Sequence, residues 1–300
     1  MREKVETRYK NMLQTALGED ILAMLSNDDI IEIMLNPDGK VIIDTLLSGK
    51  QETQVRIKRM QSANIIKLVA AYHNQIADYA SPMIASDLPF AKERFQGWLP
   101  PVVERATFAI RKRAKIIMRL SDYVKDGALA QDAKNKLIQA LKGRKNIIVV
   151  GATSSGKTTF TNALLAELES YNDRLLILED LPELQCLSDD VVHMFTSPDV
   201  SMRDLVKGSL RMRPDRIMIG EVRDGVAHDL LKAWNTGHPG GICTIHANSL
   251  ESARLRLYDL VQEAVESVPE HLIEEAVDVL VMMKKVDGKR KIVDISFKDN

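Results

Sequence analysis

Residues 146–169 constrain this chain more than any other stretch. Asn146-Ile-Ile-Val-Val150 is a short apolar run, followed by Gly151-Ala152-Thr153-Ser154-Ser155-Gly156-Lys157-Thr158 and then Thr159-Phe-Thr-Asn-Ala-Leu-Leu-Ala-Glu-Leu. The pattern is G-x-x-x-x-G-K-[ST] with a predicted strand before it and a predicted helix after it. At average composition its four fixed positions would recur by chance about 0.01 times in a chain of this length. The glycines let backbone N–H groups curl around phosphate oxygens, and a helix N-terminus adds partial positive charge. Lys157 then reaches β- and γ-phosphates, and the Thr158 hydroxyl ligates Mg²⁺. Residues Gly151 to Thr159 therefore imply binding of a nucleoside triphosphate such as ATP.

At 300 residues the chain is long for one domain, and a hydrophobic fraction of 45% suffices for two cores. A net charge of −1 gives no global attraction to nucleic acid or anionic membrane. Locally, Arg111-Lys-Arg-Ala-Lys115 is basic, which a solvated linker explains. The N-terminus, Met1-Arg-Glu-Lys-Val-Glu-Thr-Arg8, has charge but no apolar core, unlike a secretory signal. No apolar run approaches the ~20 residues of a membrane span. Cys186 and Cys243 are the only cysteines, which excludes a disulfide framework and a cysteine-rich zinc site and suggests free thiols in the cytoplasm.

Apolar spacing predicts a helix over residues 2–25 and strands at Ile30–Leu35 and Val41–Asp44 around the Asn36-Pro-Asp-Gly39 turn. A second helix is predicted over Met60–Tyr79. A breaker-rich stretch then runs from Ser81-Pro82 to Pro100-Pro101, and Thr107-Phe-Ala-Ile-Arg111 reads as a strand. Residues 1–112 thus form a small α+β domain, 113–127 a linker, and 128–300 a strand–helix alternation with a mainly parallel sheet. Helices are predicted at Ala128–Leu141, Lys157–Leu168, Ser201–Met212, Asp224–Asn235 and Ser249–Glu266, the last capped by Asn248 with Glu251 three residues on. Strands fall at Asn146–Val150, Arg174–Leu178, Val191–Phe195, Arg216–Ile219 and Gly241–Ile245. A closing hairpin pairs Val279–Lys285 with Lys289–Phe297 through Asp287-Gly288.

A triphosphate site needs an acidic element for Mg²⁺ and water. Arg216-Ile-Met-Ile219 ends in Gly220-Glu221, which puts Glu221 at a strand's carboxyl end beside the phosphate loop. Leu175-Leu-Ile-Leu178 likewise ends in Glu179-Asp180, with Glu183 further on. His246 follows a strand on the same edge, where an imidazole can sense the γ-phosphate. His73, His193, His228, His238 and His271 have no metal spacing and read as structural or surface residues.

Four segments together resemble the Walker A, Asp box, Walker B and His box of the secretion-superfamily ATPases. They are Gly151–Thr158, Leu178-Glu-Asp-Leu-Pro-Glu-Leu-Gln185, Leu210-Arg-Met-Arg-Pro-Asp-Arg-Ile-Met-Ile-Gly-Glu-Val-Arg-Asp224 and Thr236-Gly-His-Pro-Gly-Gly-Ile-Cys-Thr-Ile-His-Ala-Asn248. The superfamily contains pilus motors, type II secretion ATPases and type IV secretion traffic ATPases; the chain is most similar to the conjugative type IV branch, and it lacks the four-cysteine insert of the type II branch. The resemblance implies an α/β fold, with a C-terminal RecA-like P-loop domain behind a smaller N-terminal α+β domain. It also implies Glu179 as the carboxylate that orients water, Glu221 as the Mg²⁺ support and His246 as the γ-phosphate sensor. Arg94 and Arg111 are implied as N-terminal-domain arginines that reach the nucleotide. A homohexameric ring, inner-membrane secretion components as partners and a peripheral place on the cytoplasmic face follow as further expectations.

Three other functions fit the same chemistry: a pilus extension or retraction ATPase, a RecA-like nucleic-acid translocase, and a nucleotide-gated scaffold. The basic cluster at 111–115 lacks the interleaved aromatics that stack bases, which makes direct nucleic-acid binding doubtful. A scaffold has no use for both Glu179 and Glu221.

Overall fold

The computed structural model describes residues 2–45, 48–91, 93–112, 117–197, 199–286 and 288–298. Residues 113–115 of the basic cluster and Asp287 of the hairpin turn lie outside the described residues. The chain divides into two compact units, Met1–Ile116 and Ile117–Asn300.

The first unit contains α1 (Arg2–Ser26), β1 (Ile30–Leu35), β2 (Lys40–Thr45), β3 (Gly49–Arg56), α2 (Arg59–Tyr72), β4 (Met83–Asp87), β5 (Arg94–Trp98) and β6 (Thr107–Arg111). Its six strands form one antiparallel sheet in the order β3-β2-β1-β6-β5-β4. Leu13, Leu17, Ile21 and Leu25 of α1 lie four apart on one face. They join Ile65, Ile66 and Val69 of α2 in a core with Ile33, Phe95, Phe108 and Ile110.

Alternation then fixes the opposite face of the sheet. Phe95 and Ile110 point into the core, so their strand neighbours Arg94 and Arg111 point away from it and are exposed. The register sets Arg94 directly across from Arg111, with Asp87 beside the first and Glu32 beside the second.

Helix α2 stops at Tyr72 rather than Tyr79. Asn74 adopts φ 56, and the Gln75 N–H returns to the Ala70 carbonyl, a left-handed termination. Ile76 and Tyr79 prolong the helical spacing but are exposed.

The second unit contains α3 (Leu120–Lys125), α4 (Gln131–Lys142), β7 (Ile147–Val150), α5 (Lys157–Glu167), β8 (Leu175–Glu179), β9 (Val191–Phe195), α6 (Met202–Ser209) and β10 (Arg216–Ile219). It continues with α7 (Val226–Asn235), β11 (Ile242–Ile245), α8 (Leu250–Gln262), α9 (Glu270–Ala276), β12 (Val279–Val286) and β13 (Lys289–Phe297). The strand order is β13-β12-β7-β11-β10-β8-β9, parallel throughout except for β13. Every residue of β7, β8, β10 and β11 is buried, because helices cover both faces. Ile147 and Val149 face a core with Leu120, Tyr123, Leu137 and Phe160, while Ile148 and Val150 face Leu230, Trp234 and Leu257. Helix α3, inside the stretch read as a linker, contributes buried Leu120 and Tyr123 to that first core. Helix α8 is capped by Ser249, not Asn248. The Ser249 hydroxyl accepts from the Ser252 N–H at 3.0 Å, and its extended backbone suits an N-cap.

Polar side chains fasten the amino ends of the parallel strands. The buried Asn146 accepts from the Gly240 and Gly241 N–H groups at 2.8 and 3.0 Å and donates to the Ala276 carbonyl at 2.7 Å. Arg216, 1% exposed, pairs with Asp173 at 2.7 Å and donates to the carbonyls of Leu141 and Gly240 at 3.0 and 3.3 Å.

Candidate active site

The connections leaving β7 and β11 run in opposite directions across the sheet. Helix α5 leads from β7 to β8 on one side, and α8 and α9 lead from β11 to β12 on the other. Such a divergence opens a crevice at the carboxyl ends of the strands, and the loop 151–156 stands there.

Close packing selects the glycines of this loop. A Cβ on Gly151 would lie 2.5 Å from the Met283 carbonyl oxygen and 2.5 Å from Ser155 Oγ. Gly156 takes φ 100, a left-handed value, immediately before α5 begins at Lys157. Lys157 is buried, and its Nζ donates to the carbonyls of Gly151 and Ala152 at 2.9 and 3.0 Å, so the ammonium lies across its own loop. Ser155 Oγ is buried without a hydrogen-bond partner.

Neighbouring strand ends bring the acidic groups in. Glu221 and His246 are held side by side because Thr244 Oγ1 donates to the Gly220 carbonyl at 2.7 Å and Val222 N–H to the Thr244 carbonyl at 2.9 Å. Glu221 Oε1 lies 2.8 Å from His246 Nε2, and Oε2 accepts from Arg223 Nη2 at 2.8 Å. Arg223 Nη1 stands 3.4 Å from Asp180 Oδ2. A continuous chain of contacts thus links Lys157, His246, Glu221, Arg223 and Asp180.

Burial opposes ionisation of Glu221, but the Arg223 hydrogen bond and charge, with His246 and Lys157, hold its carboxyl below the usual range. Burial and the Lys157 charge push His246 down, against the pull of Glu221.

Glu179 ends β8, the strand end where the sequence sets it, beside Gly220. Its carboxylate is 2% exposed, and Oε1 accepts from the backbone N–H groups of Glu183 and Leu184 at 2.9 and 2.7 Å. That bonding turns the 180–184 loop back toward α5. Glu183 Oε2, at the end of the turn, accepts from Thr158 Oγ1 at 3.4 Å. The spacing of one carboxylate at a strand end and another four residues later is visible in the sequence; which of them turns inward is not. Nor does the sequence mark Arg223, whose one signal is that it follows the strand-end carboxylate Glu221 by two residues. Arg94 and Arg111 belong to the first unit, where they stand together as described above.

Hydroxyl and carboxylate oxygens at Thr158, Glu183 and Glu221 suit a hard cation. Among the described residues no three His, Cys, Asp or Glu side chains could hold a metal by themselves. Mg²⁺ at a phosphate site takes only one or two protein carboxylates. The residues present therefore fit ATP with Mg²⁺.

The sequence signature of the family described as type II/IV secretion system protein matches residues 94–294. The probable conjugal transfer protein TrbB of Sinorhizobium fredii is 42% identical over 290 residues, which span 96% of this chain and 89% of that one. The type IV secretion system protein VirB11 of Bartonella quintana is 31% identical over 326 residues, spanning 93% and 91% of the two chains. Among solved structures, the VirB11 ATPase of the Brucella suis type IV secretion system is 26% identical with a TM-score of 0.53, covering 98% of this chain and 96% of that one. The ATPase DotB of Legionella pneumophila shares the fold at a TM-score of 0.68 and 19% identity, covering 93% and 80%. No helix among the described residues is long and apolar enough to cross a membrane. The chain belongs to the type II/IV secretion system protein family, as a type IV secretion ATPase similar to the conjugal-transfer TrbB proteins.

Proposed function

We propose that this ATPase is the Mg²⁺-dependent, ATP-hydrolysing motor of a conjugative type IV secretion system. Its relatives include conjugal-transfer and type IV secretion proteins matched over nearly their full length. The observation that carries the chemistry is the packing of Lys157 against the loop 151–156, within 3.4 Å of His246 and one residue from Glu221 through that histidine.

Gly151, Ala152, Thr153, Ser154, Ser155, Gly156 and Thr159 shape the phosphate cradle, and Lys157 is its cation. Thr158 and Glu221 would hold Mg²⁺, which when bound withdraws charge from the phosphate oxygens. Glu183 faces Thr158 and is the carboxylate placed to orient water, while Glu179 fixes the turn that presents it. His246 reads the phosphate end through Glu221 and Lys157. Arg94 and Arg111, two cations in register on one sheet face, supply charge from the first unit to the nucleotide. The working assembly is a closed homohexameric ring on the cytoplasmic face of the inner membrane, peripheral to it and in contact with the other secretion components.

The test is phosphate release by purified protein with ATP, with and without Mg²⁺, in the parent and in Lys157→Ala. Activity that needs Mg²⁺ and disappears in the variant supports the reading. Equal rates in parent and variant would sink it.

A further inference from the structure

The Walker B carboxylate has both of its oxygens engaged in this structure. His246 Nε2 stands 2.8 Å from Glu221 Oε1, and Arg223 Nη2 stands 2.8 Å from Oε2. Each oxygen keeps a second lone pair, but a guanidinium and a divalent ion drawn to the same carboxylate repel one another, so the two compete for it. The imidazole is held beside Glu221 by the Thr244 bridge between β10 and β11. Arg223 is the partner with freedom to leave, since its side chain is 61% exposed.

A second dock is already built for it. Asp180 Oδ1 accepts from Thr196 Oγ1 at 3.0 Å, which fixes the carboxylate and leaves Oδ2 turned to Arg223 Nη1 at 3.4 Å. Glu183 adds negative charge on the same side, and it also contacts Thr158 at 3.4 Å. The guanidinium therefore sits against the carboxylates that border the cation position, between a near dock at Glu221 and a farther one at Asp180.

We propose that Arg223 is a resident cation that neutralises Glu221 while the site is empty and moves onto Asp180 when a divalent ion takes Glu221. The idea rests on the nucleotide-site reading above, because it needs Glu221 to be an ion ligand. Physically it is a competition between two cations for one carboxylate. A guanidinium bonded to a carboxylate stabilises it against repulsion from Asp180 and Glu183, and its departure leaves a vacant, fully charged ligand. Arg223 is thus a positioning residue, acting on the ion through Glu221. Through Asp180 it would also report ion loading to the end of β9, where Thr196 sits.

The test uses Mn²⁺ titrated into nucleotide-free full-length protein, with free Mn²⁺ read by electron paramagnetic resonance and folding checked by thermal melting. Arg223→Gln is expected to bind Mn²⁺ about five-fold tighter than the parent, since a competing cation is gone. Asp180→Asn is expected to bind it more weakly, because Arg223 keeps only the Glu221 dock. In the Arg223→Gln background the Asp180→Asn change should have a much smaller effect. Unchanged or weaker Mn²⁺ binding in Arg223→Gln overturns the proposal, and so does an equal Asp180→Asn effect in both backgrounds. Should Glu221→Gln leave Mn²⁺ affinity untouched, the ion ligand itself is misassigned, a failure of the site reading distinct from failure of the switch.

Discussion

Nζ of Lys157 and Nδ1 of His246 lie 3.4 Å apart, so an ammonium faces an imidazole across the mouth of the phosphate loop. Two cations at that distance repel, and the arrangement is comfortable only while the histidine is neutral. Burial and the Lys157 charge accordingly hold His246 below the ordinary value of 6.5, with Glu221 pulling the other way.

This sets a pH dependence with a definite sign. In the folded chain His246 takes its proton at lower pH than in the unfolded chain, so on acidification through 6.5 the unfolded state binds more protons and stability falls. Glu221, held below its ordinary 4.5, keeps its contribution until pH drops further, through its own lowered value. Urea unfolding of parent and His246→Gln between pH 7.5 and 5.5 should show a shallower loss in the variant. Nuclear magnetic resonance should place the His246 midpoint below 6.5, raised by Lys157→Met and lowered by Glu221→Gln. A midpoint indifferent to Lys157→Met would contradict the contact.

The two carboxylates of the Asp box separate by what they touch. Glu179→Ala removes a buried acceptor of two backbone N–H groups and should cost about 2–3 kcal/mol of stability. Glu183→Gln should melt like the parent yet lose about 100-fold or more in turnover. Thermal melting beside phosphate-release kinetics decides between them. Parent-like turnover in Glu183→Gln would remove it from the chemistry.

The same pair shows where sequence reading works and where it stops. The parallel strands were legible because strands covered on both faces are uninterrupted apolar runs, as in Ile147–Val150 and Leu175–Glu179. The mostly exposed β3 carries Gly-Lys-Gln-Glu-Thr at its start, and β4 and β5 lie among prolines and glycines, so none of them has a period to follow. Apolar spacing overextends α2 because exposed Ile76 and Tyr79 mimic a buried stripe, while Asn74 carries the left-handed stop. Motif spacing located Lys157, Glu221 and His246 on one edge. It carries no information on rotamers, and these decide that Glu179 turns inward and that Arg223 bridges Glu221 and Asp180.

Arg111→Ala tests the first unit's part. Arg111 and Arg94 sit in register on a sheet face, exposed and away from the core, so truncation should leave the fold's melting temperature within about 2 °C, as for surface changes generally. Turnover should fall, and compaction of the protein on adding a non-hydrolysable ATP analogue should fall with it. Small-angle scattering and light scattering measure compaction and assembly together. A strict monomer at all concentrations would defeat the ring, and parent-like turnover in Arg111→Ala would remove that arginine from the chemistry.

Arg216→Leu removes a buried guanidinium that bonds Asp173 and the Leu141 and Gly240 carbonyls; Arg144 stays on Asp173 and its N–H on Leu141, so the expected loss is about 1–3 kcal/mol by denaturant titration. Nucleotide affinity measured under folding conditions should stay near the parent value, since Arg216 begins the strand at whose far end Glu221 stands.

The fastening at Asn146 and Arg216 gives the second unit a mechanical character. The strand feet are bridged by side chains to neighbouring strands and loops, so any shear of the sheet would have to break those bonds. The sheet behaves as the stator of the machine. Whatever stroke the chemistry generates has to be carried by the rim itself, in the arm of Lys157, the arm of Arg223 and the turn from Asp180 to Leu184, while the strands below keep still.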